Sequence, residues 1–143
     1  DLLETFNWLI GLRVSHIAVP QTFTADFERD NLGKYQVKGR LKQDAEGPWT
    51  IRKVEGETPD KSRVLILWRT LTSDIEQDNA VLDAWFQNNA LTTQDSEFDL
   101  VYVNGDNNLP NLKRPDDLQT SNSWKVRLLE EEFHKRMWED TES

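Results

Sequence analysis

Arg63-Val-Leu-Ile-Leu-Trp68 is the stretch that most constrains the fold of this chain. A continuous apolar run of this length, not an alternating one, predicts a central β-strand covered on both faces. Ser73-Asp-Ile-Glu76 follows as a capping-box pattern, in which the Ser hydroxyl accepts an amide bond while Glu reaches back. The helix it opens carries Ile75, Leu82, Trp85 and Phe86 on one side and fades at Asn88-Asn89. Phe98-Asp-Leu-Val-Tyr-Val103 then predicts another strand. Strand, helix and strand at this separation predict a right-handed βαβ unit with parallel strands.

The flanks extend this unit. Leu2, Leu3, Phe6, Leu9 and Ile10 recur at helical spacing, so residues 2–10 predict an amphipathic opening helix, with Gly11 as its left-handed cap. Residues 13–19 alternate and are β-branched, a strand stopped by Pro20. Residues 35–41 and 49–54 alternate too, with turn residues at 44–48 between them, and predict an antiparallel hairpin with each other. A polar linker at 119–123 leads to a closing helix with Val126, Leu129, Phe133 and Met137 on one stripe. Glu131–Lys135 and Glu132–Arg136 are i,i+4 pairs in the favourable order. The expected architecture is α/β with α+β character, in one domain over residues 1–143. It comprises a mixed sheet with a βαβ unit, an antiparallel hairpin and flanking N- and C-terminal helices.

Charge and composition exclude several functions. The net charge of −9 argues against a stand-alone nucleic-acid binder, which gains affinity through clustered Lys and Arg. One local basic set, Arg52, Lys53, Lys61 and Arg63, is available against that background. The chain has no cysteine, which removes disulfides and thiolate zinc sites. No apolar run is long enough to cross a bilayer and no signal-peptide pattern opens the chain, so the expected location is cytoplasmic and no membrane partner is expected. A start at Asp1 reads as a fragment excised from a longer protein or as a processed product.

Catalytic constellations are sparse. His16 lies mid-strand beside Ser15 with no orienting acid marked, and His134 lies among Glu and Lys on a helix; both read as structural or solvated. Carboxylates Asp99 and Asp106 could hold a metal at a strand end, but 106–111 fails the calcium-loop pattern. No Gly-x-Gly-x-x-Gly or Walker loop occurs, and Pro59-Asp60 lacks the acidic-x-Lys element of metal-dependent nucleases. Asn104-Gly-Asp106 reads as turn chemistry. The six tryptophans read as packing and not as a stacking platform for bases.

Several blocks carry a family resemblance: residues 2–12, Arg63-Val-Leu-Ile-Leu-Trp-Arg69, Asp78-Asn-Ala-Val-Leu-Asp83, the stretch from Phe98 to Arg114, and Trp124 to Met137. In order and content they resemble the C-terminal region of bacterial adenine-specific DNA methyltransferases akin to the modification subunits of type III restriction–modification systems. Residues 22–60 carry none of the likeness. The family's Asp-Pro-Pro-Tyr type motif and its Phe-x-Gly-x-Gly type loop for S-adenosylmethionine are both absent from this sequence. The resemblance therefore implies a non-catalytic C-terminal domain, with S-adenosylmethionine held elsewhere in the parent enzyme and no catalytic, cofactor or metal residue here. It implies assembly as the role. The partners would be the rest of the methyltransferase chain, a second copy in a homodimer, a restriction subunit, and DNA through the parent enzyme. Contacts are expected from the closing helix through Phe133, Met137 and Trp138, with Glu131, Glu132, Lys135 and Arg136 at the rim. Packing of that stripe on the domain's own sheet is the equal alternative. An accessory DNA-gripping module and an independent metal-dependent enzyme using Asp106 are the rival functions.

Overall fold

The computed structural model describes residues 6, 7, 10–89, 91, 98–107, 109 and 126–142, with side chains through residue 135. Seven strands form one mixed sheet: β1 (Arg13–Ile17), β2 (Gln21–Arg29), β3 (Tyr35–Gln43), β4 (Trp49–Glu57), β5 (Arg63–Arg69), β6 (Leu100–Val103) and β7 (Val126–Leu128). Two helices accompany them among the described residues, α1 (Ile75–Asn88) and α2 (Leu129–Glu142). The strand order is β3-β2-β4-β5-β6-β7, with β1 also on β4. The sheet is antiparallel from β3 to β5 and parallel from β5 through β7.

The apolar run became the central strand it predicts. Val64 and Ile66 face one side of the sheet, Leu65 and Leu67 the other, and all four are buried. On one face α1 seats Val81, Leu82, Trp85 and Phe86 against Leu65, Leu67, Ile51 and Trp49. On the opposite face Phe6, Ile10 and Leu129 cover Val54, Ile66 and Tyr102, with Phe133 packed at the margin. Both sides of the β5–β6 pair are thus removed from water, as a parallel pair requires. Phe6 and Asn7 are helical and Gly11 takes φ of 67° behind them; the rest of the expected opening helix, apart from Ile10, lies outside the described residues. The 119–123 linker lies outside them as well.

Three local expectations change. The expected 35–41 with 49–54 hairpin does not form, because β2 lies between those strands. Phe23, Ala25 and Phe27 of β2 alternate onto the α1 side, and the turn at 30–34 returns the chain directly into β3. There Asp30 Oδ1 accepts the Leu32 and Lys34 amides, both at 2.9 Å, and this tight closure takes β3 onto β2. The longer 44–48 connection then delivers β4 to the other side of β2, where Phe23 opposes Trp49. The helix cap is Asp74, not Ser73: its Oδ1 accepts the Gln77 amide at 3.0 Å, and its own N–H is held by Thr72 Oγ1. Finally, Val126 is not on a helical stripe. Pairing with the open edge of β6, Val101 to Val126 and Val103 to Leu128, makes residues 126–128 a strand, and the helix begins at Leu129.

The Leu82 side chain is fully buried between α1 and the sheet. Leu82→Ala should lower the unfolding free energy by about 3 kcal/mol in urea titrations, with the m-value unchanged.

Candidate functional site

In sheets with parallel strands, ligands gather at the carboxyl ends of the strands. Here those ends are Arg69 on β5 and the turn at 104–106 after β6, facing the first turns of α1. Arg69 follows Leu65 and Leu67 on the α1 side by alternation and is only 4% exposed. Its guanidinium meets oxygens from three directions. Nε donates to the Asn104 carbonyl at 3.0 Å; Nη1 donates to the Asp78 carbonyl at 3.2 Å and to Asn79 Oδ1 at 3.1 Å. Nη2 donates to the Asp106 carbonyl at 2.9 Å and the Gly105 carbonyl at 3.4 Å.

The turn is built to deliver those carbonyls. Asn104 Oδ1 accepts the Arg69 amide at 2.9 Å and Asn104 Nδ2 donates to the Arg69 carbonyl at 2.8 Å. The side-chain amide so extends the β5–β6 ladder by one rung. Gly105 takes φ of 80°, the left-handed region that only glycine adopts at low cost. A β-carbon there would also sit 3.0 Å from Leu71 and 3.3 Å from Arg69 Nη2. The Gly105 amide donates to both carboxylate oxygens of Glu130, at 2.9 and 3.1 Å, which ties the turn to the first residues of α2.

Burial pulls the Arg69 pKa down, while the charges of Asp78, Asp83, Glu130 and Asp106 hold it up. A guanidinium stays protonated under such a balance. Asp78, 2% exposed, is the carboxylate that acts on it most strongly, and it is itself hydrogen-bonded on both oxygens. Its Oδ1 accepts from Trp49 Nε1 at 2.9 Å and Thr72 Oγ1 at 2.6 Å, and its Oδ2 from the Thr72 amide at 2.8 Å. A buried charge with a full set of partners is a structural anchor; breaking it would leave the remainder unpaired in an apolar setting. The position where a parallel sheet would receive a ligand is filled by the protein's own cation.

Sequence-expected residues do not converge on a reactive centre. Ser15 Oγ donates to the Glu55 carbonyl at 3.2 Å, and His16 is exposed on β1; His134 is exposed on α2. Asp99 accepts the Arg63 amide at the start of β6, whereas Asp106 lies beyond its far end, so the two carboxylates are not brought together. Among the described residues no group of three His, Asp or Glu side chains could hold a metal. Of the basic set, Arg52 and Lys53 point to opposite faces of β4, Lys53 lies 3.9 Å from Glu55, and Arg63 sits over the Phe98 ring. On α2, Phe133 is half-buried and stacked on Phe6 with ring centres 6.4 Å apart, and Glu132 is buried. Glu131 and Lys135 are exposed, and the side chains of Arg136, Met137 and Trp138 lie outside the described residues.

Nothing in the local sequence pattern marks Arg69, Asp78 and Asn79 as one cluster. The signal available for Arg69 alone was a charged residue ending an unbroken apolar run, a place where alternation demands burial. No family model, curated protein or solved structure matches the chain.

Asp83 gives this region a pH signature. It is half-buried on α1 beside a small pocket shared with Lys34 and Tyr35. Burial raises its pKa, against the opposing pull of Lys34 and Arg69. A raised carboxyl pKa means that the unfolded chain releases this proton at lower pH than the folded one. The Asp83 contribution therefore favours folding at low pH and is lost as pH rises from about 4 through the raised value. Asp83→Asn should accordingly gain stability at pH 7 relative to the parent chain, and less or none at pH 3, in paired urea titrations.

Proposed function

We propose that the chain is the non-catalytic C-terminal domain of an adenine-specific DNA methyltransferase of the type III modification-subunit kind, serving subunit assembly in the cytoplasm. The observation that carries the non-catalytic part is the Arg69 anchor. The strand-end turn with the best claim to chemistry spends its carbonyls on a buried guanidinium. Its exposed carboxylate, Asp106, contributes its backbone oxygen to that anchor.

Assembly fits the remaining surface. The chain is acidic, which suits protein contacts better than a DNA groove. Glu130 fastens the start of α2 to the 104–106 turn, so the helix and the turn form one rigid corner. Such a corner can present the exposed residues Glu131 and Lys135 to the methylase core or to a restriction subunit. S-adenosylmethionine and the flipped adenine would be held by the parent enzyme's own motifs, outside this domain.

Three measurements test the reading. The coding sequence immediately upstream of Asp1 should contain, in frame, an Asp-Pro-Pro-Tyr type motif and a Phe-x-Gly-x-Gly type loop; an unrelated upstream coding region would sink the assignment. The 143-residue chain itself should give no heat on titration with S-adenosylmethionine. It should also show no micromolar duplex-DNA binding at 150 mM salt. Binding with a steep salt slope would move the role to DNA gripping.

A further inference from the structure

β4 has nine residues, and two strands share one of its edges: β2 pairs with Trp49 to Ile51, and β1 with Val54 to Glu57. β3 then flanks β2 only, ending at Gln43 opposite Phe23. Among the described residues no strand occupies the row on the outer side of β1. Among the described residues β1 pairs with β4 alone, and all five of its residues are exposed. An open edge of this kind presents a row of main-chain groups to any chain able to pair with it.

The β1 sequence has a further property. Val14 opposes Gly56, Ile17 opposes Val54, and the register shifts between them, so that Ser15 and His16 share Glu55. In a regular strand, residues three apart point to opposite faces. The inserted residue reverses that parity and puts Val14 and Ile17 on one face, the face of Val54. Both are solvent-exposed apolar side chains, at 38% and 62%, and Val19 just beyond is 82% exposed. The core on the face of Val54 contains Phe6 and Ile10, with Leu12 packed against it.

The geometry points to β1 of a second copy of this chain as the occupant of that outer row, paired antiparallel about a two-fold axis. The register that places Val14 opposite Ile17 of the second copy, and Ile17 opposite its Val14, is self-complementary. It gathers four apolar side chains on one face and sets Ser15 against His16 on the other. It also brings Arg13 of the second copy beside Ala18, at the mouth of a groove of about 760 Å³ whose lining includes Asp44. An isologous contact of this kind closes after two copies, so it yields a dimer and not a fibre. The strand that enters the row is no longer than the row, because β1 spans five residues and β3 begins its own pairing only past Thr22. This inference names the surface by which the assembly role proposed above would join two copies, and it rests on that reading only for its biological use.

Sedimentation of the full chain tests it. A reversible monomer–dimer equilibrium is expected in the range of about 10–1000 μM, the weak end of association for a small interface. Ile17→Lys should weaken that equilibrium at least tenfold. Leu32→Lys, at a residue 94% exposed in the β2–β3 turn, should leave it unchanged. Circular dichroism establishes that each variant is folded. Because the chain has no cysteine, Val14→Cys/Ile17→Cys under mild oxidation should yield a covalent dimer. A chain that stays monomeric to millimolar concentration overturns the proposal. So does a dimer indifferent to Ile17→Lys and not cross-linked through positions 14 and 17. Either result leaves the upstream coding test untouched, so the two proposals fail separately.

Discussion

Arg69 is the residue through which the elements of this domain hold their relative positions. Its guanidinium joins the end of β5 to the first turns of α1 and to the turn after β6, entirely through oxygen acceptors. The same turn is clasped by Glu130 from the start of α2. Four elements therefore meet around one charge. Desolvating that charge carries a cost, seen in its lowered pKa, and the carbonyls and the surrounding carboxylates offset part of it. Because breaking one partner leaves the rest unsatisfied, the cluster favours a single arrangement of helix, turn and sheet.

The two halves of the sheet are closed in different ways. The antiparallel half is closed by local turns such as the Asp30 turn, and its residues alternate between core and water. The parallel half has to be covered on both faces, by α1 on one side and by Phe6, Ile10 and Leu129 on the other. Arg69 sits where these regimes meet. A polar knot at that point marks the limit of the core.

The sequence made the central half legible and left the edges obscure, for physical reasons. The β5–α1–β6 unit was readable because a continuous apolar run followed by a helical period has few other solutions. β2 went unrecognised although Phe23, Ala25 and Phe27 alternate, because the conspicuous turn residues at 44–48 suggested a different partner for β3. Strand pairing depends on which neighbours compete for an edge, and a local pattern does not record that competition. Residues 126–128 show the same effect: their helical spacing yielded to the open edge of β6. At the candidate site, the Asn104-Gly-Asp106 turn was correctly legible as turn chemistry. Its target was not, since Arg69 lies 35 residues earlier than Asn104 and only the fold joins them.

Arg69 and Asn104 act as one structural unit. A double-mutant cycle of Arg69→Met and Asn104→Ala, read by urea unfolding, tests it most directly. A coupling of about 1–3 kcal/mol is expected, because the Asn104 side chain fixes the turn whose carbonyls the Arg69 guanidinium fills, so that either substitution loosens what the other acts on. Additivity within about 0.5 kcal/mol would contradict it and would return the strand-end turn to the list of surfaces free to bind a ligand.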